Sequence, residues 1–282
     1  MIPIKISVIT VCYNAAALLP STIESVLMQD YIDFEYVIED GGSTDDTQSV
    51  AEGYEDRFRQ KGIPFKFISR SDEGIYDAMN KGVAASSGEY INFMNAGDCF
   101  YDTTVLKRIS DTIDENKESA VAVVYGDCAV YEYGGFHLFA KDPGRITKAM
   151  PFSHQSAFAK ADILREHPFD TRYRYSADYD FLLTVHDIGG KFVDSNAVVC
   201  ITNADGLSSV NYHDTLMESA AILAAHGFAQ DPAELAKKEK ELRIKQFVLD
   251  HFPKTIKKCI RKAQIKKRGQ GFNAVIPPWF HI

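Results

Sequence analysis

Apolar and polar residues follow one another in short blocks over the first hundred positions, and the blocks predict strands and helices in turn. Residues 5–12 are rich in β-branched side chains and predict a buried strand, whereas residues 19–27 place apolar side chains at helical spacing. Strand–helix alternation with short connections predicts a parallel sheet covered by helices on both faces. The further elements in this part are strands at 34–39, 65–69 and 90–94 and helices at 47–61 and 75–85.

The pattern changes after residue 100, where strands no longer alternate regularly with helices. The elements predicted there are a helix at 104–116, strands at 120–126 and 129–138 forming a hairpin around Gly134-Gly135, a strand at 152–159, a helix at 178–188 and one or two strands at 191–202. From about residue 212 the chain predicts successive helices broken at Pro232 and Pro253. We therefore expect 1–100 and 101–211 to share one sheet, with a helical extension at 212–282.

Charge separates the extension from the rest of the chain. Residues 237–268 hold thirteen Lys and Arg against three acids, a net +10, so the remainder carries −18 within a total of −8. A basic tail on an acidic body indicates a localisation or partner signal. The five cysteines are scattered without CxxC spacing, and the apolar run at the N-terminus is too short to span a bilayer. These features predict a reduced, cytoplasmic protein without a zinc or disulfide framework.

Polar clusters occupy the ends of the predicted parallel strands, which is where ligands bind in such sheets. These clusters are Tyr13-Asn14, residues 40–46, residues 70–73 and residues 95–98. In the second cluster, the glycines after Asp40 allow close approach of a ligand, and the carboxylate can accept two N–H donors from a base such as uracil. The alternative is a turn with a helix N-cap.

The helix predicted at 75–85 carries Asp77, Asn80 and Lys81 within one turn. Lys81 can neutralise a phosphate, while Asp77 and Asn80 can hold a ribose or the lysine itself. The alternative is a solvated helix face with an Asp77–Lys81 ion pair.

The turn Asn95-Ala96-Gly97-Asp98 contains one carboxylate. Mg²⁺ or Mn²⁺ bound to a diphosphate needs few protein ligands, because phosphate oxygens and waters fill most of its coordination shell. Asp98 can therefore suffice as the charged ligand, with Asn95 as a neutral neighbour. The alternative is a tight turn in which Gly97 adopts a positive φ.

Two further candidates lie in the second half of the chain. Asp178 stands at a predicted helix start, where an acid is either a cap or a general base beside a reacting hydroxyl. His154 lies in a strand-like run, and its alternatives are a structural hydrogen bond or a role in the site.

Together these segments resemble a family 2 glycosyltransferase with the GT-A fold, an α/β, Rossmann-like, mostly parallel sheet flanked by helices. The segments that carry the resemblance are SVITVCYN (7–14), IEDGGSTDDT (38–47), SDEGIYDAMNKG (71–82), GEYINFMNAGD (88–98), HQS (154–156) and ADYD (177–180). They cover roughly residues 5–190 in the family's order, and they most resemble the bacterial branch that builds cell-surface polysaccharides.

The resemblance implies transfer of a hexosyl or N-acetylhexosaminyl group from a nucleotide diphosphate donor, usually a UDP-sugar, with inversion at the anomeric carbon. The implied acceptor is a hydroxyl of a glycan or of a lipid-linked acceptor. Residues 1–100 become the nucleotide-binding half and 101–211 the acceptor side. The implied nucleotide and donor residues are Thr10, Tyr13, Asp40, Asp77, Asn80, Lys81, Asn95 and His154, with Asp98 on a divalent metal and Asp178 as catalytic base.

This sequence departs from the family pattern at two places. The usual Asp-Ser-Asp-Asp metal motif is Asn95-Ala96-Gly97-Asp98, and the usual Glu before the catalytic Asp is Ala177. Both departures leave the principal acid in place. They put in question the affinity for metal and any contribution of Asp180.

The basic tail lies outside the resemblance. An apolar stripe at Ile256, Cys259, Ile260 and Ala263 is flanked by lysines and arginines, and Trp279-Phe280 follows. Such a helix suits the anionic inner face of the cytoplasmic membrane, where a lipid-linked acceptor resides. The alternative is a solvated helix that packs on its own domain or on another subunit, and no nucleic-acid partner is expected.

Two other functions fit parts of the pattern. A non-catalytic nucleotide-sugar binding module would account for the thinned metal motif, but such a module has no need of Asp178. A sugar-phosphate nucleotidyltransferase would carry a basic, glycine-rich loop after the first strand, whereas this chain has Cys12-Tyr-Asn-Ala-Ala-Ala there.

Overall fold

The computed structural model describes residues 5–132, 135–139, 141–203, 211–228, 230–251, 271–272, 274 and 276–280. Its first half is the predicted parallel unit. Strands β1 (Ile6–Cys12), β2 (Phe34–Asp40), β3 (Phe65–Ser69) and β4 (Tyr90–Phe93) lie side by side in the order β4-β1-β2-β3, all parallel. The carboxyl ends of β1 and β2 align because Cys12 pairs with Asp40. Their polar clusters therefore meet at one edge.

The second half extends the same sheet with mixed strand directions. Its strands are β5 (Cys99–Phe100), β6 (Val121–Glu132), β7 (Gly135–Phe139), β8 (Ala157–Lys160) and β9 (Lys191–Asn203). β8 pairs antiparallel with both β4 and β6 and so joins the two halves, while β9 runs parallel to β6. The α/β fold is confirmed, but parallel pairing dominates only over the first four strands.

Helices cover both faces of the sheet, each with its own apolar core. One face packs α1 (Leu19–Leu27), α2 (Thr47–Glu52), α3 (Glu55–Lys61) and α5 (Val105–Glu115). The other face packs α4 (Ile75–Ala85), α6 (Ala161–Glu166), α7 (Ala177–Asp187) and α8 (Tyr212–Ala225). A last long helix, α9, spans Pro232–His251.

Several predicted element boundaries are wrong for local reasons. The helix predicted at 47–61 divides into α2 and α3 at Gly53, a residue with poor helix propensity. The strands predicted at 120–126 and 129–138 are one strand, β6, followed by β7, because residues 127–128 pass through a β-bulge without leaving the sheet. The single strand β9 accommodates Asn196 at φ 53°.

The C-terminal extension is helical in α8 and α9, but its last described residues are not. Gly271–Phe272 forms strand β10, which pairs antiparallel with β7. Trp279 and Phe280 are 6% and 5% exposed, since they pack against Cys99, Ala129 and Ile201 of the sheet. For these two aromatics the structure therefore shows packing on the protein's own domain, which was one of the two alternatives for the tail. The apolar stripe predicted at 256–263 lies outside the described residues. Within the described part of the chain, no helix has both the length and the apolar character needed to cross a bilayer.

His226, which follows α8, fastens the extension to α7. Its Nε2 lies 3.1 Å from Asp180 Oδ1 and its Nδ1 lies 2.6 Å from Asp187 Oδ2. Burial favours the neutral imidazole, but the hydrogen bonds and charges of Asp187 and Asp180 outweigh it and raise the pKa of His226. Asp187 also contacts His186, at 3.2 Å. The ion-pair contacts of His226 with Asp180 and Asp187 are therefore strongest when the imidazole is protonated.

We expect His226→Gln to lower the free energy of unfolding, and to lower it more at about pH 6 than at about pH 9. A raised folded-state pKa gives stability that is fully present below the unfolded value and is lost as pH rises through the folded value. Urea denaturation at the two pH values measures the difference. The exposed His213, in α8, is the control when changed to Gln. An equal loss of unfolding free energy at both pH values would contradict stabilisation by a protonated His226.

Candidate active site

Thr10 lies on β1 behind the edge where the strand-end clusters meet, not on the surface of that edge. Its hydroxyl lies 2.8 Å from the Tyr36 hydroxyl and donates to the Met94 carbonyl at 2.7 Å, and the residue is fully buried. Thr10 thus ties β1 to β2 and to the residue that follows β4. Tyr13, by contrast, is 63% exposed. Of these two predicted nucleoside contacts, only Tyr13 offers surface to a ligand.

Asp40 ends β2 and organises the loop that follows it. Its carboxylate accepts hydrogen bonds from the Ser43 backbone N–H at 3.0 Å, from the Ser43 hydroxyl, and from the Ser69 hydroxyl at 2.6 Å. The side chain is fully buried beneath this loop. Gly42, at φ 81°, allows the chain to fold back over the carboxylate. Asp40 therefore holds the β2 and β3 ends together at the predicted nucleoside pocket.

The three polar residues of α4 divide into two groups. Lys81 Nζ lies 2.8 Å from Asp77 Oδ2 and donates to the Ser71 carbonyl at 2.9 Å, at the rim of the sheet edge. The bond to Lys81 lowers the pKa of Asp77. Asn80 instead pairs with the backbone of Phe169, donating to its carbonyl at 2.8 Å and accepting from its N–H at 2.9 Å. Asn80 therefore fixes the segment that leads towards α7.

The turn after β4 has the geometry that its glycine predicts. Gly97 adopts φ 98°, and the Asp98 N–H donates to the Asn95 carbonyl at 2.9 Å. Thr22 of α1 holds the turn, accepting from the Gly97 N–H and donating to the Asp98 carbonyl at 2.8 Å. Asp98 Oδ2 accepts from the Gln155 amide at 3.0 Å. The backbone of this turn is thus fixed before any ligand binds.

His154 connects this turn to Asp178. Its Nδ1 lies 2.9 Å from Asp178 Oδ2, and its Nε2 lies 3.4 Å from Asn95 Nδ2. The other oxygen of Asp178 accepts from the Tyr76 hydroxyl at 3.0 Å and from the Tyr179 N–H at 2.9 Å. The side chain of His154 is 25% exposed and that of Asp178 is 14% exposed. An acid at a helix start is therefore oriented by donors from three separate segments.

The charges of this group depend on one another. Burial opposes protonation of His154, but the hydrogen bond and charge of Asp178, with the nearby charge of Asp98, raise the pKa of the imidazole. Burial and the same Asp178 carboxylate raise the pKa of Tyr76 well above its ordinary value of 10, so its hydroxyl stays protonated as a donor. His154 and Asp178 line one side of a cavity of about 30 Å³. The rest of its lining is apolar and includes Met79, Phe93, Phe169 and Leu182. Low polarity there strengthens the contact between the two groups.

Three residues of this arrangement did not stand out in the sequence. Asn92 of β4 donates from its amide to the Gln155 and Ala157 carbonyls, both at 2.9 Å. This clamp holds the 3-10 turn His154–Ser156, so the strand predicted at 152–159 begins only at Ala157. Gln155 and Tyr76 lay inside recognised segments, but only their contacts with Asp98 and Asp178 reveal their roles.

The turn of Asn95 and Asp98 offers oxygen ligands of the type that Mg²⁺ and Mn²⁺ prefer. Asn95 Oδ1 is buried and accepts no hydrogen bond from the residues described. Within the same residues, no three or more His, Cys, Asp or Glu side chains group together as a complete metal site. The turn fits a divalent cation that takes most of its ligands from phosphate and water.

The comparison with known families decides what kind of protein carries this site. A family model described as Glycosyl transferase family 2 matches residues 7–171, more than half of the chain. The chain belongs to glycosyl transferase family 2. The family prediction is thereby confirmed, together with the class of enzyme, a glycosyltransferase.

Individual relatives agree with this family 2 assignment. The PGL/p-HBAD biosynthesis glycosyltransferase of Mycobacterium bovis is 35% identical over 181 residues, which cover 62% of this chain and 67% of the relative. TarS 1-349 of S. aureus, solved in complex with UDP-GlcNAc, matches with a TM-score of 0.63 at 18% identity, over 84% of this chain and 71% of that one. Over a longer TarS structure, the match spans 39% of the TarS chain.

A third likeness comes from a structure that contains a metal. The mannosyltransferase PcManGT of Pyrobaculum calidifontis, solved with GDP-Man and Mn²⁺, gives a TM-score of 0.58 at 20% identity. The match covers 79% of this family 2 chain and 62% of the mannosyltransferase. At such identities the solved structures establish the shared GT-A-like fold.

Proposed function

We propose that this family 2 glycosyltransferase moves a sugar from a nucleotide diphosphate donor, preferably a UDP-sugar, to a hydroxyl of a glycan or lipid-linked acceptor in cell-surface polysaccharide synthesis. One observation carries the proposal. The predicted base Asp178 and the predicted metal turn at Asn95 are far apart in the sequence, yet His154 contacts both, at 2.9 and 3.4 Å. A base and a diphosphate-binding turn must both reach one anomeric carbon, and a residue that contacts both supports that arrangement.

Asp178 is proposed as the general base. Its carboxylate accepts the proton of the acceptor hydroxyl while the acceptor oxygen bonds to the anomeric carbon. The bond from that carbon to the diphosphate oxygen breaks on the opposite face, so the configuration inverts. Tyr76, the Tyr179 N–H and His154 hold the carboxylate in one orientation, which supports this role.

The donor is proposed to lie along the carboxyl ends of β1, β2 and β4. Tyr13 supplies exposed ring surface at the nucleoside end, and the buried Asp40 orders the loop that faces the base. The Asp77–Lys81 pair at the rim is placed for the phosphates. Thr10 and Asn80 act on this pocket through the strand and the segment that they hold.

Asp98, with Asn95 beside it, is proposed to hold a divalent cation such as Mn²⁺ or Mg²⁺. Such a cation supplies charge stabilisation to the departing diphosphate. The solved complexes of TarS with UDP-GlcNAc and of PcManGT with GDP-Man and Mn²⁺ support a nucleotide-sugar donor and a metal, although their nucleotides differ. A panel of UDP- and GDP-sugars, with and without Mn²⁺, is the direct way to identify the donor.

Asp178→Asn should abolish sugar transfer while leaving UDP binding intact. The variant removes the base but keeps the size and hydrogen-bonding shape of the side chain, so a loss of about 10²–10⁴-fold in turnover is expected. Turnover of the preferred donor and calorimetry with UDP and Mn²⁺ measure the two properties. Asp180→Asn is the matched control, because Asp180 lies one half-turn away and contacts His226 instead.

Wild-type turnover in Asp178→Asn would remove Asp178 as the base. UDP binding without turnover of any donor by the wild-type protein would favour the non-catalytic binding module. Loss of turnover in Asp180→Asn equal to that in Asp178→Asn would mean that the helix, rather than one carboxylate, is the sensitive feature.

Metal and nucleotide should bind together. With a single protein carboxylate at the turn, we expect Mn²⁺ to bind weakly alone and about tenfold or more tightly with UDP present, and Asp98→Asn to remove that gain. Calorimetric titration of Mn²⁺ with and without UDP measures it. Asp102→Asn, on the exposed segment after β5, is the control. Tight Mn²⁺ binding in the absence of UDP would contradict a one-carboxylate site.

We also propose that the protein works in the cytoplasm and contacts the inner face of the cytoplasmic membrane through its basic tail. Replacing Lys266, Lys267 and Arg268 by Gln should weaken binding to phosphatidylglycerol vesicles by about a hundredfold, since each charge near an anionic surface contributes about 1 kcal/mol. Co-sedimentation measures the binding.

The control for the tail is an equal number of exposed cations on the acidic body, Arg59, Lys107 and Lys117, also changed to Gln. Vesicle binding that is unchanged in the tail variant would leave packing on the domain or on another subunit as the role of the tail. An equal loss in both variants would mean that total charge, not the tail, sets the affinity.

A further inference from the structure

The end of the chain returns to the catalytic sheet after the helical extension. Strand β10 pairs with β7, and residues 277–280 then form a turn closed by the Phe280 N–H and the Pro277 carbonyl at 3.1 Å. This turn buries Trp279 in a small apolar cluster with Cys99 and Ile201. The cluster is separate from the two large cores on the faces of the sheet.

Trp279 contacts the strand that follows the proposed metal turn. Its indole Nε1–H donates to the Phe100 carbonyl at 3.0 Å, and the contact is buried. Phe100 is two residues beyond Asp98, and Cys99 between them packs in the Trp279 cluster. The end of the chain therefore lies directly against the strand on which the turn closes.

The turn itself is held at three places. Thr22 holds the backbone at Gly97 and Asp98, and Gln155 holds the Asp98 carboxylate. The third place is β5, a two-residue strand that pairs only with β9 in the described sheet. A strand of two residues makes few ladder hydrogen bonds, and side chains bind both backbone polar groups of Phe100: its N–H donates to the Ser25 hydroxyl at 3.1 Å, and its carbonyl accepts from Trp279.

We propose that Trp279 is a positioning residue for Asp98, and that the turn of residues 277–280 thereby supports the donor and metal site. This inference rests on the proposed function, because it assigns Trp279 a role only if Asp98 binds metal and diphosphate. The neighbouring Phe280 packs on Tyr131 and Phe136, and its ring centroid lies 5.8 and 6.0 Å from theirs. Its side chain adds apolar contact to the cluster but has no donor for a hydrogen bond to Phe100. Variants of the two aromatics can therefore distinguish a positioning role from apolar packing.

Trp279 is the one tryptophan of the chain, so tryptophan fluorescence comes from this site alone. Addition of UDP with Mg²⁺ to the protein should shift or quench the emission, because the charges of metal and diphosphate bound at Asp98 change the electric field at an indole that contacts the strand two residues away. Asp98→Asn should abolish the change. An emission that stays constant while calorimetry shows UDP and Mg²⁺ to be bound would overturn the inference.

The variants Trp279→Phe and Phe280→Leu test whether Trp279 supports metal binding at Asp98. Both should lower the melting temperature, since both remove buried contacts. Only Trp279→Phe should raise the Mn²⁺ concentration needed for half-maximal UDP binding and donor turnover, by about fivefold, the effect of losing one hydrogen bond of typical net strength. Turnover at saturating Mn²⁺ should return towards the wild-type value.

The outcomes separate this inference from the proposed function. An unchanged Mn²⁺ requirement in Trp279→Phe, or an equal increase in Phe280→Leu, would overturn the positioning role while the wild-type enzyme remains a metal-dependent transferase. Failure of the wild-type protein to bind UDP with Mn²⁺ would overturn the proposed function and this inference with it.

Discussion

The contact between His154 Nδ1 and Asp178 Oδ2 is the interaction on which the organisation of the site depends. It joins helix α7 to the turn of His154, and the other ring nitrogen of His154 lies 3.4 Å from Asn95 in the turn that follows β4. Each charge would be costly to bury alone, and together they offset that cost. The hydroxyl of Tyr76 and the Tyr179 N–H complete the set of donors to the carboxylate. A base held in this way needs little rearrangement to meet an acceptor.

Buried hydrogen bonds between strands and loops fix the positions of the other segments of the site. Thr10 ties β1 to β2 and to the residue that follows β4, and Asn92 fixes the turn that presents His154 and Gln155. Such polar groups are tolerated in a core because their partners satisfy them, and each tie fixes one relative position of the chain. Trp279 extends this arrangement to the far end of the sequence.

Residue type alone does not distinguish side chains that bind a ligand from side chains that make such structural hydrogen bonds. Thr10 and Asn80 have the chemistry to bind a nucleotide, and their motif positions predicted that they do. In the structure their hydrogen bonds go to Met94 and Phe169. Hydroxyl and amide groups serve both purposes equally well, so burial and distance are needed to tell which purpose applies. Trp279 and Phe280 illustrate the same difficulty for apolar residues, since aromatics beside a basic helix suit a membrane surface or a protein core, and these two lie in the interior.

The sequence by itself determined the strand–helix order of the first hundred residues, the edge where polar clusters gather, and the family. These follow from local periodicity, turn chemistry and motif spacing, all of which are written in neighbouring residues. Only the tertiary structure decided that α7, the turn at His154 and the turn at Asp98 meet, and that the chain's end supports β5. Those contacts join residues up to 179 positions apart, and long-range packing leaves no periodic signal in either partner.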